Sequence, residues 1–191
     1  LPQSRNHPNN FDVVLLRSTK AKVMFKPALE KFRLPDKGIQ YLPYAQAWAN
    51  LMKDLLEAED LHEDFKIPIL VMNGETPCAA AVCLDARGHP DIQFSTLFLM
   101  KMVRNAGEDC NGAAEAMLCN MIQHSTNRFG EFNALRLDAY DERRLRSYYE
   151  SFGCVDADDF QYANMVCPDP HPQRCENHSK PAFSGDDYFY A

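Results

Sequence analysis

The amino-acid sequence predicts an α+β fold in which a mixed, mainly antiparallel sheet is flanked by helices. The dipeptide Asn73-Gly74 separates two apolar runs, "IPILVM" and "CAAAVCLD", and predicts an antiparallel hairpin with a tight turn. Further along, the apolar run at 92–103 is followed by a helical pattern, a second strand pattern and a second helix. An antiparallel start joined to such a strand–helix–strand–helix half is typical of α+β proteins.

The elements before and around the hairpin follow from local patterns. Residues 11–17, "FDVVLLR", predict the first strand, and "KPALEKFRL" predicts a helix with Pro27 in its first turn, where the missing N–H costs nothing. Apolar residues at helical spacing predict a second helix at about 44–58. The run at 92–103 is apolar on both faces and therefore predicts a central strand. An apolar stripe after residue 112 predicts a helix that ends just before Gly130.

The second half of the chain is organised around the stretch "LRLDAYDERRLRSYYESFGC". It predicts a strand at 134–140 and a helix at about 141–152, with Tyr148 and Tyr149 on the same face as Phe152. Residues 159–167 predict the last strand. The proline-rich polar segment at 168–191 predicts a tail whose final "YFYA" adds to a sheet edge. The chain thus divides into a domain at 1–167 and a C-terminal tail at 168–191.

The charge of the chain limits its partners. A net charge of -7 and a pI near 5.3 argue against a nucleic acid as partner, because phosphate binding requires a surplus of Lys and Arg. An amine-bearing partner fits better. No run approaches the roughly 20 apolar residues of a membrane helix, so no membrane association is expected.

The seven cysteines include no Cys-x-x-Cys pair. Cys83, Cys119 and Cys154 lie within apolar patterns, where free thiols behave as small hydrophobes, and a reducing cytoplasm is therefore predicted. The cluster of Cys167, His171, Cys175 and His178 has zinc-ligand residue types, but its spacing is not that of the usual ligand pairs. We therefore predict no metal site.

A polar loop, "RNAGEDCNG", joins the central strand to the following helix. Backbone N–H groups of such a loop and of a helix N-terminus converge and can bind a pyrophosphate. Two carboxylates, Glu108 and Asp109, oppose an anion there. An ordinary loop with a helix cap at Asp109 or Asn111 is the alternative. Motifs of dinucleotide dehydrogenases, P-loop NTPases, serine hydrolases and zincins are absent from the sequence.

The order of elements, this loop and "DERRLRSYYESFGC" resemble the GNAT superfamily of N-acetyltransferases. In that family a loop of pattern Arg/Gln-x-x-Gly-x-Gly/Ala follows the fourth strand and cradles the acyl-CoA pyrophosphate. Here Arg104 and Gly107 fit the start of the pattern, Asp109 stands where Gly or Ala is expected, and an alternative register makes Gly112 the last glycine. The family's Asn at the start of the fourth helix is replaced by Asp141. Tyr149 lies four residues before Gly153, and Cys154 replaces the family's Phe.

The resemblance implies transfer of an acetyl group from acetyl-CoA to a primary amine of a small molecule or protein, with a homodimer as one option for assembly. It places the cofactor against a set of backbone and loop residues, namely Met102, Val103, Arg104, Asn105, Gly107, Asp109, Asn111, Gly112, Ala113 and Asp141. A tyrosine hydroxyl would return a proton to the leaving thiolate, with Tyr149 as first candidate and Tyr148 as second. The alternative is that both tyrosines are core aromatic residues on the buried stripe of the helix and have no catalytic role.

Three questions stay open at the level of sequence. The general base is predicted to be Asp138, with Asp91 and His89 as alternatives. A catalytically inactive GNAT-like module that binds a protein partner is the rival function, since Asp109, Asp141 and Cys154 depart from the family pattern. An unrelated α+β fold is the third alternative, and it is excluded if the strands before and after the Gly112 helix are parallel.

Overall fold

A computed structural model of the protein describes residues 11–16, 18–32, 66–85, 97–105, 108–129, 135–139, 143–157, 164–168, 172–176 and 183–184. Within these ranges the strands are β1 (Asp12–Leu15), β2 (Lys66–Asn73), β3 (Thr76–Asp85), β4 (Leu97–Arg104), β5 (Leu135–Leu137), β6 (Val155–Asp156), β7 (Met165–Cys167) and β8 (Phe183–Ser184). The helices are α1 (Thr19–Glu30), α2 (Ala113–Phe129), α3 (Arg143–Glu150) and α4 (Pro172–Cys175). A 3-10 turn, Glu108–Cys110, leads into α2.

The described strands form one sheet in the order β6-β7-β5-β4-β3-β2-β1-β8. Neighbours are antiparallel except for two pairs, β4 with β5 and β1 with β8, which are parallel. The predicted mixed, mainly antiparallel sheet is therefore confirmed. Because β4 and β5 flank the helix that begins after Gly112 and are parallel, the unrelated fold is excluded by the criterion stated above.

The hairpin forms as predicted. β2 pairs with β3 from Lys66 and Leu84 to Asn73 and Thr76, and Gly74 in the turn has a φ of 58°. That value lies in the left-handed region, which glycine enters without steric cost.

The first helix begins earlier than the sequence pattern predicts. It starts at Thr19, after Ser18, whose side chain accepts a hydrogen bond of 2.9 Å from the Ala21 N–H. Pro27 therefore lies inside α1 and not in its first turn, so that prediction is wrong. Ala21, Phe25 and Leu29 are buried at spacing four, and this apolar stripe extends the helix across the proline.

Several other predicted elements differ in extent. β1 and β5 are shorter than predicted, and β6 was not predicted. The predicted helix at 44–58 and the predicted edge strand at 188–191 lie outside the described residues. Within 168–191 the structure forms α4 and a short strand, β8, which pairs with Val14 and Leu15 of β1.

The two faces of the sheet carry separate cores. On one face α1 packs Phe25 and Leu29 against residues such as Val14 and Leu70. The other core contains α2 side chains together with Tyr149 and Phe152 from the end of α3. Helix α2 contacts β1 to β5 on this face. Both α2 and the two tyrosines therefore lie on the same side of the sheet.

Two disulfides correct the prediction of free thiols. Cys119 in α2 bonds to Cys175 in α4, and Cys154 after α3 bonds to Cys167 in β7. The partners are 56 and 13 residues apart, so only the tertiary fold brings them together. Cys83 is free and buried, as predicted.

In the described part of the chain, no helix has the length and apolar character needed to cross a membrane.

Candidate active site

The central feature of the site is the point at which β4 and β5 part. Their pairing runs from Leu97 opposite Leu135 to Leu99 opposite Leu137 and then ends. β4 nevertheless stays paired with β3 as far as Arg104, after a register shift that skips residue 100. A bulge bends a strand and increases its local twist. Beyond this bulge β4 therefore pairs with β3 and no longer with β5, and we call this place the opening between β4 and β5.

The loop after β4 is anchored at its first residue. The Asn105 N–H donates to the Cys78 carbonyl at 2.8 Å, and the buried Asn105 side chain donates to the Pro77 carbonyl at 2.7 Å. At the other end of the loop, Arg104 Nη1 donates to Asn111 Oδ1 at 2.7 Å. These contacts hold the loop against the start of β3 and place a guanidinium beside the turn into α2.

The turn into α2 depends on Gly112. Its φ of 89° lies in the left-handed region, and its carbonyl accepts the Ala116 N–H at 2.9 Å, which closes the first turn of the helix. Gly112 and Ala114 also have the Gly-x-Ala spacing of the family pattern, but this spacing makes Gly112 the first glycine of the pattern and not the last, as the alternative register has it.

The charges around this turn are mixed. Asp109 is exposed, and its backbone carbonyl accepts a hydrogen bond of 3.2 Å from the Asn73 side chain. Glu115 adds a carboxylate in the first turn of α2. Arg104 and Arg174 bring positive charge to the same region. The partial positive charge of the α2 N-terminus adds to theirs.

The two adjacent tyrosines of α3 differ in their surroundings. Tyr149 is buried, with 7% of its surface exposed, whereas Tyr148 is half-buried. The Tyr148 ring makes edge contacts with the Tyr149 ring at 5.5 Å and the Phe152 ring at 5.0 Å between centroids. Burial, and after it the Glu115 carboxylate, raise the pKa of Tyr148 to about 12 against the partial compensation of Arg174 and Arg104. The Tyr148 hydroxyl therefore interacts electrostatically with Arg104, at the start of the loop, and with Glu115, just after its end.

The Phe-Gly ending of "YYESFGC" stops α3 and fixes the tyrosines. Gly153 has a φ of 87°, its N–H donates to the Glu150 carbonyl at 2.9 Å, and the Cys154 N–H donates to the Tyr149 carbonyl at 3.3 Å. This is the Schellman arrangement of a helix C-terminus. The side chain of Cys154 forms the disulfide with Cys167 of β7. Tyr149 is therefore tied to the strand that pairs with β5.

Asp138 lies directly after β5, at the mouth of the opening, and it is exposed. Its neighbours Leu137 and Ala139 belong to the same core as Tyr149, so the alternation of side chains along an extended segment directs Asp138 to the other face. Asn164 holds this segment: its Oδ1 accepts the Ala139 N–H at 2.9 Å and its Nδ2 donates to the Ala139 carbonyl at 2.7 Å.

Arg174 of α4 is a residue of the site region that sequence reasoning missed. Its guanidinium lies 4.4 Å from the centre of the Phe152 ring and donates to Ser151 Oγ. Its Nε lies 3.5 Å from a Glu115 carboxylate oxygen. Since the neighbouring Cys175 bonds to α2, the C-terminal segment is attached at the edge of the site. No local sequence signal links Arg174 to these partners.

Several sequence candidates cannot be placed. Gly107, Asp141, Asp91 and His89 lie outside the described residues. Of the candidate zinc ligands, Cys167 and Cys175 are both in disulfides. Among the residues that the structure describes, no group of three or more His, Cys, Asp or Glu side chains is arranged to hold a metal ion.

Comparison with known sequences yields no family: no protein-family model matches the chain, and no curated protein matches it.

Solved structures do match the fold. A KacTA–DNA complex has a TM-score of 0.51 at 12% identity, over 82% of this chain and 91% of that chain. AtaT complexed with acetyl-methionyl-tRNAfMet has a TM-score of 0.51 at 10% identity, over 87% and 98%. A ribosomal-protein-alanine N-acetyltransferase from Brucella melitensis biovar Abortus 2308 has a TM-score of 0.49 at 16% identity, over 80% and 97%. The chain therefore shares its fold with the KacTA and AtaT structures, and the GNAT-like fold that the sequence resemblance predicts is confirmed.

Proposed function

We propose that the protein is an N-acetyltransferase that transfers an acetyl group from acetyl-CoA to a primary amine. The observation that carries this proposal is the opening of the sheet between β4 and β5, with the loop to α2 at one end and the α3 tyrosines beside it. In the GNAT fold, which this chain shares, that opening is the place of the acyl-CoA.

The residues around the opening fit such a cofactor. Gly112 and Ala113 bring backbone N–H groups to the start of a 17-residue helix without bulky side chains, and this suits a pyrophosphate. Arg104 and Asn111 are proposed to flank it, offsetting the Asp109 carboxylate. Met102 and Val103 of β4 are proposed to hold the pantetheine and acyl parts. Acetyl-CoA supplies the acetyl group as a thioester.

Three further cofactor candidates, Asn105, Gly107 and Asp141, are treated separately. The Asn105 side chain is committed to the Pro77 carbonyl, so we assign it to positioning the loop. Gly107 and Asp141 stay predictions as cofactor contacts.

Tyr149 is the proposed general acid. It occupies the family position four residues before Gly153, and its backbone is fixed by the helix end and the Cys154–Cys167 bond. Tyr148 is the weaker candidate, since a pKa of about 12 lies roughly three to four units above that of a thiol near 8.5. A donor so much weaker than the thiol transfers its proton uphill.

Asp138 is the proposed general base. It lies at the end of β5 on the face opposite to Tyr149. An amine that approaches through the opening from this face would lose its proton to Asp138, while the thiolate receives a proton on the other face. The acid and the base thus act on opposite sides of the sheet.

The acceptor is proposed to be an amine of a small molecule or protein. AtaT, with the same fold, is solved with an acetylated aminoacyl-tRNA, and KacTA is solved with DNA. The present chain has a net charge of -7, which disfavours a nucleic acid and favours a cationic amine. The predicted cytoplasmic location loses the support of free thiols, because disulfides persist mainly in oxidising compartments.

Calorimetric titration with acetyl-CoA tests the proposal without knowledge of the acceptor. We expect micromolar affinity, on the order of -8 kcal/mol. Gly112→Glu should weaken binding strongly, because it adds a side chain and a negative charge at the turn. Val23→Glu is the matched control, since it adds the same charge at an exposed site on α1 and should bind as the wild type does. No binding of acetyl-CoA or CoA to the wild type would favour the inactive module. Equal affinity of the two variants would show that the loop is misplaced.

A further inference from the structure

Three of the seven cysteines are outside the two disulfides, and two of these three lie together. Cys78, Cys83 and Cys110 are free and buried. The Sγ atoms of Cys78 and Cys110 lie 2.7 Å apart. Cys78 is near the start of β3, and Cys110 ends the 3-10 turn that leads into α2. The pair therefore links the sheet to the loop of the candidate site.

The distance between these sulfur atoms is too short for two separate thiols. Even carbon atoms, which are smaller than sulfur, pack at about 3.5–4.0 Å. A disulfide brings two sulfur atoms to about 2.05 Å. Two thiols held at 2.7 Å are thus pressed together, and a covalent bond removes the repulsion.

The backbones on both sides are held in place by contacts that do not involve the sulfur atoms. The Cys78 carbonyl accepts the Asn105 N–H at 2.8 Å, and the Asn105 side chain donates to Pro77. On the other side, the Asp109 carbonyl accepts the Asn73 side chain at 3.2 Å. The strand and the loop are therefore aligned independently of the cysteines, and bond formation needs no rearrangement of the fold.

We propose that Cys78 and Cys110 form a third disulfide, which fastens the loop between β4 and α2 to β3. The oxidant is a small-molecule or protein disulfide. A cysteine thiolate attacks one sulfur of that disulfide and releases the other as a thiolate, which leaves a mixed disulfide. The second cysteine, as a thiolate, then attacks the cysteine sulfur of the mixed disulfide and releases the remaining half of the oxidant. Two cysteine thiols lose two electrons and two protons, and one external disulfide is reduced to two thiols.

The bond is expected to form during folding. Cys78 and Cys110 are 0% and 2% exposed, so an external disulfide does not reach them once the loop is closed. Burial, and after it the hydrogen bond with Cys110, raise the pKa of Cys78 to about 12, which keeps its thiol protonated in the folded protein. The same burial then protects the completed bond from reductants. This bond is a structural fastener of the loop, and Cys83 is left as the single free thiol.

Counting thiols in the complete chain tests the inference. The protein is refolded with a mixture of reduced and oxidised glutathione, denatured without reductant, alkylated and weighed by mass spectrometry. We expect one alkylated cysteine, identified as Cys83 by peptide mapping, and a peptide in which Cys78 is linked to Cys110. Cys78→Ser should free its partner and give two alkylated cysteines, Cys83 and Cys110.

Three alkylated cysteines in the wild type, or a bond from Cys83 to either member of the pair, would overturn the proposal. Alkylation in the native state provides a second readout: Cys83 should resist the reagent until denaturant is added, whereas Cys78 and Cys110 should resist it in denaturant as well and react only after reduction. Neither measurement uses acyl-CoA, so the outcome is independent of the proposed acetyl transfer.

Discussion

Replacing Cys175 by alanine removes the disulfide between α2 and α4. The bond joins residues 56 apart, and the loss of this cross-link from the unfolded chain costs about 4 kcal/mol in the chain-entropy description. Loss of the buried sulfur adds about 1 kcal/mol, as for one methylene. We therefore expect the free energy of unfolding to fall by about 5 kcal/mol, which lowers Tm by roughly 10–20 °C in a protein of this size.

The assay is urea unfolding followed by circular dichroism, with and without a thiol reductant. Cys83→Ala is the matched control, since it removes a buried sulfur that is in no disulfide and should cost only about 1 kcal/mol. When both proteins are measured in reductant, the free energy of unfolding of the wild type should lie within about 1 kcal/mol of that of Cys175→Ala, because neither then contains the bond. The reasoning would be refuted if, in oxidising buffer, Cys175→Ala lowered the free energy of unfolding by no more than Cys83→Ala does.

Three further outcomes are expected around the opening of the sheet. Tyr149→Phe should lower kcat by about 10²–10⁴-fold with unchanged acetyl-CoA affinity; full activity would remove this hydroxyl from the mechanism. Asn164→Ala deletes both hydrogen bonds to Ala139 and should cost about 1–3 kcal/mol in urea unfolding, whereas a loss equal to that of the exposed control Ser147→Ala would contradict the role of this amide. The pKa of Tyr148, about 12 in the folded state, lies above the ordinary value near 10. Its contribution to stability is therefore complete below about pH 10 and lost as the pH rises towards 12. A difference between wild type and Tyr148→Phe that stays constant over this range would show that the fold does not favour the protonated phenol.

The parts of the fold that were predicted correctly depend on local signals. The Asn73-Gly74 turn and the apolar runs beside it specify the hairpin, and the apolar stripe after Gly112 specifies α2. The start of α1 differs from the prediction because Ser18 caps the helix, and a capping serine together with an apolar stripe outweighs one proline. The predicted length of β5 is too great because the sequence does not show where the pairing of β4 with β5 ends.

The site was predicted less fully than the fold because its parts come from distant segments. Motifs predict Tyr148, Tyr149 and the Gly112 turn as parts of the candidate site, and the structure brings the tyrosines and the start of α2 to one face of the sheet. Arg174 was not found, since its contacts with Glu115 and Phe152 depend on tertiary packing. The disulfide partners were missed for the same reason: a spacing of 56 residues carries no local signal.

Two cysteines near the departures from the GNAT pattern, Cys154 and Cys110, have sulfur contacts that the structure shows. Cys154 stands where the family has Phe, and it joins the end of α3 to β7 through Cys167. The extended loop before Gly112 contains Cys110, whose sulfur contacts Cys78 of β3. Cys154 therefore fastens the end of the tyrosine helix, and the proposed Cys78–Cys110 bond would fasten the cofactor loop, whereas Asp109 and Asp141 are not explained by cysteine chemistry. Because a disulfide stabilises a fold with or without catalytic activity, these cysteines are compatible with both the acetyltransferase and the inactive module, and the acetyl-CoA titration distinguishes the two. It also follows that acetyl transfer has to be assayed on oxidised protein, since a reduced sample would lack the bonds that position Tyr149 and would test a different arrangement of the site.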